Sequence, residues 1–158
     1  LGFGDAAARE LGKRVAQLEE LQRLLLILQG EIRCVRITLP AVCELLAKDA
    51  KAPFQQFFWK VSEDLGKRTG QTAGEIWSRN LKEIQKLLFL TKKEQQDLEE
   101  FGQLLGRMDM PMQLSAIQFY QEKIMLSLAE AKAAADSRQK LYRYLGALGG
   151  AALVLVIM

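Results

Sequence analysis

The sequence has no histidine, only two cysteines and only three prolines among its 158 residues. Without histidine, the chain lacks the side chain that enzymes use most often as a general base and that metal sites use most often as a ligand. Cys34 and Cys43 do not form a C-x-x-C pair, so they fit neither a zinc site nor a redox motif. We interpret both as small buried apolar residues in a reducing compartment.

Catalytic motifs are missing as well. No serine lies in a G-x-S-x-G setting, and no phosphate-binding loop of the form G-x-x-x-x-G-K-S/T occurs. Paired carboxylates such as Glu19 and Glu20 are typical of solvated helix faces. We therefore predict no catalytic, cofactor-binding or metal-binding residue, and a chain that is not an enzyme. A hydrolase with an unrecognised carboxylate site is the weaker alternative.

The chain has no large excess of one charge. Its net charge is +3, and basic residues are interleaved with acidic ones rather than gathered in a stripe. Nucleic-acid-binding domains are expected to concentrate basic residues on one face. We predict that this chain does not bind nucleic acid.

Strand signals are almost absent, whereas helix signals run along the whole sequence. Thr72-x-x-Glu75 and Thr91-x-x-Glu94 have the spacing of a capping box and predict two helix starts. Trp59 and Trp77 lie among apolar residues and are predicted to belong to the core. Periodicity and end signals together predict six helices, over residues 5–36, 39–48, 53–65, 72–88, 91–106 and from 109 into the C-terminal tail.

Two long helices at the ends of the chain, with four shorter ones between them, predict an all-α fold. The economical arrangement is an antiparallel bundle of about six helices. If both long helices enter a membrane, their membrane-proximal ends must lie on one side of the bundle. The chain would then divide into residues 1–4, the end of an N-terminal membrane segment, a bundle over 5–140, and a C-terminal membrane helix over 141–158.

The C-terminal tail carries the signal for that membrane helix. From Leu145 onward no residue is polar or charged. A helix of these fourteen residues is about 21 Å long, short for a bilayer core of roughly 30 Å, so a buried core helix is the alternative. Starting at Leu141 gives eighteen residues, with Tyr142 and Tyr144 at the position of an aromatic belt. Basic residues precede the tail, and the positive-inside rule then places the bundle in the cytoplasm.

Short glycine-containing segments near both ends allow two interpretations. Residues 1–4 are apolar and are followed by basic residues, which predicts the end of a membrane segment, whereas a frayed terminus or cloning remnant is the alternative. Gly146-x-x-x-Gly150 predicts close packing of the tail against another membrane helix. The alternative is that glycine is merely common in membrane helices.

Four segments, in this order, resemble the stage III sporulation protein AB family, and the resemblance covers essentially the whole chain. They are Leu28-x-x-Glu31-Ile32, Leu39-Pro40, Phe101-Gly102-x-x-Leu105-Gly106-x-x-Asp109-x-x-x-Gln113, and Tyr142-x-x-Leu145-Gly146 before the apolar run. The resemblance implies a membrane component of an endospore-forming bacterium, in the mother cell membrane around the forespore, with its bundle facing the cytoplasm. It also implies a six-helix bundle similar to the inner-membrane platform domains of type II secretion.

The same resemblance implies a non-enzymatic platform in a channel-like complex between mother cell and forespore. Its partners would be a cytoplasmic secretion-type ATPase, stage III sporulation protein AA, and the other components of the stage III sporulation A complex; homo-oligomer formation is left open. A membrane-anchored adaptor or regulator outside a secretion machine is the alternative. Carried onto this sequence, the family pattern makes Glu31, Asp109 and Gln113 candidate interaction positions. Each has a structural alternative: a bundle hydrogen bond for Glu31, a helix cap for Asp109 and first-turn support for Gln113.

Overall fold

Six α-helices account for nearly all of the residues that the structure describes. In the computed structural model the backbone is described for residues 2–34, 38–107 and 110–157, and the side chains for 6–33, 38–106, 111–137, 140, 141 and 143–147. No strand occurs in these ranges, so the all-α prediction is confirmed. The helices are α1 (Gly2–Cys34), α2 (Leu39–Asp49), α3 (Phe54–Gly66), α4 (Ala73–Ile84), α5 (Lys92–Arg107) and α6 (Met110–Ile157), and a 3₁₀ turn, Gln85–Leu87, follows α4.

The two predicted capping boxes are both present. At the start of α4, the hydroxyl of Thr72 accepts a hydrogen bond from the Glu75 amide (3.1 Å), and the Glu75 carboxylate accepts one from the Thr72 amide (3.3 Å). Thr91 and Glu94 form the same reciprocal pair at the start of α5, at 3.2 and 3.0 Å. Each box satisfies two amides that the first turn of a helix leaves without partners.

The helices alternate in direction, and each packs against the next along the chain, while α6 returns to pack against α1. Two contacts set the antiparallel register of α1 and α6: Glu19 pairs with Lys132 (3.6 Å), and Gln29 with Gln121 (3.4 Å). The residue number falls on α6 as it rises on α1. The start of α1 and the end of α6 therefore lie on one side of the bundle, as predicted.

We call this side the basal end, defined by residues 6–17 of α1 and 132–147 of α6. The opposite, distal end carries the α3–α4 loop, residues 67–72. The α4–α5 loop, residues 85–91, is at the basal end, because Gln17 of α1 donates to the Leu87 carbonyl (3.0 Å) and accepts from the Phe89 amide (2.7 Å).

The core contains one face of every helix and ends well before α6 does. On α1 the first buried side chain is Leu18, and on α6 the last is Ala131. Described side chains beyond these points are exposed or half-buried. At 1.5 Å per residue, the 48 residues of α6 extend about 72 Å, and more than half of this helix follows Ala131 and continues past the core.

The membrane helix predicted over 141–158 is not found in the part of the chain that the structure describes. There, no helix combines the length and the apolarity that crossing a bilayer requires. The helix itself continues to Ile157, but its described side chains include the charged Lys140 and Arg143, and those of 148–157 lie outside the described residues.

The prediction that both tryptophans belong to the core is confirmed for Trp77 and wrong for Trp59. Trp77 is 3% exposed and Trp59 is 47% exposed. Trp59 follows Phe54 by five residues on α3, which places it about 140° around the helix from that buried ring. Apolar neighbours in sequence do not put a residue on the apolar face.

Candidate functional site

The Phe101-to-Gly106 segment packs closely against α4 through its two glycines. A Cβ added at Gly102 of α5 would overlap the indole ring of Trp77 on α4, and one at Gly106 would come within 2.9 Å of the Ala73 Cβ. On the α4 side, a Cβ at Gly74 would overlap the carboxamide of Gln103. The two glycines of α5 are four residues apart and share a face, so the segment is a helix-packing motif.

Trp77 is held in place by three aromatic rings from two helices, α3 and α5. Its ring centroid lies 4.8 Å from Phe57, 5.9 Å from Phe58 and 6.2 Å from Phe101, all edge-on. Its indole nitrogen donates to the Leu98 carbonyl at 3.1 Å. These contacts hold the indole ring against Gly102.

Gln113, a candidate position, joins the end of α5 to the start of α6. The Nε2 atom of its side chain donates a hydrogen bond to the Leu105 carbonyl at 3.0 Å. Leu105 is in the last turn of α5, where carbonyls have no partner within their own helix. Gln113 therefore supports the last turn of α5, whereas its structural alternative was support of the first turn of its own helix; its role as an interaction position stays a prediction. Asp109, four residues earlier, lies outside the described residues.

The other candidate positions are distributed over the bundle and do not form one site. Glu31 is half-buried near the C-terminal end of α1, and its side chain has no hydrogen-bond or ion-pair partner among the described residues. Gly146 is exposed at the basal end, and a Cβ there would meet no atom within 4 Å. The surroundings of Gly150 lie outside the described side chains.

A buried polar group between α3 and α4 was not predicted. Asp64 is 6% exposed and Asn80 is 1% exposed. The Asp64 carboxylate accepts hydrogen bonds from Asn80 Nδ2 (3.1 Å) and Arg79 Nη2 (2.8 Å), which together with the nearby Lys60 hold the pKa of Asp64 below its usual value. Asn80 also donates to the Ile76 carbonyl, and its Oδ1 has no partner among the described residues. Polar residues at core-facing helical positions were the available signal.

A second ionic contact fixes the basal end. Arg14 of α1 donates from Nε to both carboxylate oxygens of Glu94 at 3.1 Å, and Glu94 is 5% exposed. The hydrogen bond to Glu94 raises the pKa of Arg14. Since Glu94 also completes the capping box of Thr91, one carboxylate both starts α5 and attaches it to α1.

Reactive and metal-binding groups do not converge anywhere in the described part of the chain. No group of three or more potential metal ligands occurs among these residues. Burial raises the pKa of the Cys43 thiol to about 12, so that it is not a thiolate at neutral pH. Burial likewise raises the pKa of Tyr120.

Comparison with known proteins gives a consistent result. The sequence model of the stage III sporulation protein AB family matches residues 1–158. Stage III sporulation protein AB of Bacillus subtilis (strain 168) is 29% identical over 155 residues, which cover 98% of this chain and 90% of that protein. A solved structure of a stage III sporulation protein AB superposes with a TM-score of 0.71 at 28% identity, covering 78% of this chain and 97% of that one.

Proposed function

The chain belongs to the stage III sporulation protein AB family, and from this premise we propose that it is a non-enzymatic membrane platform. Its family gives it a role in the stage III sporulation complex. The proposal adds that the helical bundle faces the cytoplasm of the mother cell and couples a secretion-type ATPase to the components in the membrane around the forespore.

The arrangement of α1 and α6 carries this proposal. Both long helices run the length of the bundle in opposite directions and have their chain-terminal parts at the basal end. α6 starts at the distal end and continues without a break past the core. A helix of this kind is stiff along its axis, so a displacement at the distal end is transmitted to the basal end.

Membrane attachment would use the segment after Leu141. Residues 145–157 are apolar, Arg143 and Lys140 lie where headgroups would be, and Tyr144 is 70% exposed. These are the features of a helix that passes from an aqueous layer into a bilayer. The proposal assigns residues 141–158 to the membrane and residues 5–140 to the aqueous side; the N-terminal membrane segment ending at residues 1–4 is part of the same proposal.

The experiment is a binding titration of the full chain, reconstituted in lipid nanodiscs, against purified stage III sporulation protein AA from the same organism. Empty nanodiscs are the control, and ATP turnover is followed in parallel. Saturable binding to loaded nanodiscs alone is the expected result, with or without a change in turnover.

Absence of binding by a folded, reconstituted chain would contradict the platform function. The alternative, an adaptor or regulator with other partners, would then be preferred. Helical content measured by circular dichroism in the same nanodiscs establishes that the chain is folded.

A further inference from the structure

The α4–α5 loop presents an exposed leucine between lysines at the basal end. Leu87 is 51% exposed, although its neighbour Leu88 is buried. Lys86 precedes it, and Lys92 and Lys93 follow at the start of α5; all three lysines are exposed. An apolar side chain with basic neighbours is the composition of a segment that rests on a lipid surface.

The loop is fixed to α1 and cannot turn away from the basal end. Gln17 bonds the backbone of the loop on both sides of Leu88, at 3.0 and 2.7 Å. The ammonium group of Lys13 lies 4.9 Å from the centre of the Phe89 ring, so a fourth cation joins the same surface. These contacts give the loop one orientation relative to the long helices.

The surface is close to the apolar part of α6. The Glu19–Lys132 pair sets the register and places Gln17 at the level of residue 134 on α6. Leu141 follows seven residues later, about 10 Å further along the helix axis. Long lysine side chains on the loop can bridge most of this distance towards the same bilayer interface.

Fold stability does not explain the two lysines at the start of α5. The N-terminal turn of a helix has a positive dipole end and favours acidic residues, so Lys92 and Lys93 are unfavourable there. Neither of them, nor Lys86 or Lys13, forms an ion pair with a described residue. Glu94, the acidic residue that directly follows Lys93, is already paired with Arg14. The three exposed lysines of the loop are thus left to interact with something outside the bundle, and Lys13, which already contacts the Phe89 ring, adds its charge to the same surface.

We propose that residues 85–93, together with Lys13, form a contact surface for anionic lipid headgroups, with Leu87 entering the interface. The inference rests on the proposed attachment of α6 to a membrane and adds a second contact that sets the tilt of the bundle. An anionic bilayer is the occupant that the observations favour, because it matches the positive charge, the exposed leucine and the adjoining apolar helix at once.

The test measures the depth of residue 87 in the membrane. The full chain carries Leu87→Cys in a Cys34→Ser background, which leaves the buried Cys43 as the only other thiol, and is labelled with an environment-sensitive fluorophore. It is reconstituted in vesicles that contain phosphatidylglycerol and headgroup-proximal nitroxide lipids. Leu126→Cys is the matched control, since Leu126 is 68% exposed on α6 but fifteen residues before Leu141. Vesicle flotation after carbonate extraction reports separately whether the chain is membrane-inserted.

The expected result is insertion, with at least about twofold stronger quenching at position 87 than at 126. High salt and the double substitution Lys92→Gln/Lys93→Gln should each reduce the quenching at position 87. The reason is that each basic residue near an anionic surface shifts the membrane-contact equilibrium roughly fivefold. Arg33→Gln/Arg68→Gln, exposed on other parts of the bundle, should have no effect.

Each other outcome has a definite meaning. Insertion with equal quenching at positions 87 and 126 overturns the lipid contact and leaves the proposed function standing. Quenching at 87 that persists in phosphatidylcholine vesicles and in high salt overturns the anionic headgroup as the ligand. Failure to float overturns membrane attachment and, with it, the contact.

Discussion

Replacing Gly102 by alanine should destabilise the bundle strongly, although the substitution adds only one methyl group. The new Cβ overlaps the Trp77 indole, which is enclosed by three phenylalanine rings and bonded to the Leu98 carbonyl. Overpacking of a core costs about 1–3 kcal/mol. Displacing the indole nitrogen leaves a buried donor unpaired, about 1–3 kcal/mol more. Alanine recovers about 1 kcal/mol through its helix propensity. We expect the free energy of unfolding to fall by about 3 kcal/mol.

Urea unfolding followed by circular dichroism measures this change. Gly30→Ala is the matched control: Gly30 lies in α1 with no atom within 4 Å of an added Cβ, so the substitution should stabilise by up to about 1 kcal/mol. In a Trp77→Leu background, Gly102→Ala should lose most of its cost, because the overlapping ring is gone. If Gly102→Ala is as stable as the parent chain, the α4–α5 contact is not as close as the structure has it.

Three further predictions concern polar contacts. Gln113→Ala removes the donor to a terminal carbonyl of α5, and its unfolding free energy in urea should fall by about 1 kcal/mol at unchanged helical content. The lowered pKa of Asp64 means that its carboxylate stabilises the fold above the ordinary pKa of about 4 and loses this effect as the pH falls through the lower folded value. The difference in Tm between Asp64→Asn and the parent chain should therefore be largest at neutral pH and shrink in acid; a pH-independent difference would contradict the contact with Asn80. Glu94→Gln leaves the guanidinium of Arg14 poorly paired, and we expect a loss of about 2 kcal/mol and faster amide exchange in the first turn of α5; unchanged exchange there would argue against the double role of this carboxylate.

Local signals in the sequence predicted the helices well, because they act within a few residues. The Thr72 and Thr91 capping boxes need only a threonine and a glutamate three positions apart, and both form as expected. Chain direction and helix length then limit how six helices can pack. The side-by-side placement of the beginning of α1 and the end of α6 follows from that limit.

Contacts between distant segments could not be predicted in the same way. The family resemblance drew attention to Gly102 and Gly106. No short-range sequence signal, however, indicates that Gly102 on α5 packs against Trp77 on α4. The Asp64–Asn80 contact depends likewise on the rotation of α3 against α4. Trp59 could have been placed correctly, because a helical wheel alone puts it opposite the phenylalanines of α3. The resemblance singled out Gln113, but its acceptor, the Leu105 carbonyl, depends on how α6 packs against α5.

The return of α6 onto α1 has a consequence for biosynthesis. α1 leaves the ribosome well before α6, the helix that returns to pack against it: Gln29 and Gln121, which meet in the fold, are separated by 92 positions. At 5–20 residues per second, translation of that interval takes about 5–20 s. During this interval the buried side chains Leu18, Leu25 and Leu28 lack the cover of α6, although α2 can already pack against α1, and this nascent stage is the one most exposed to chaperones and to misassociation.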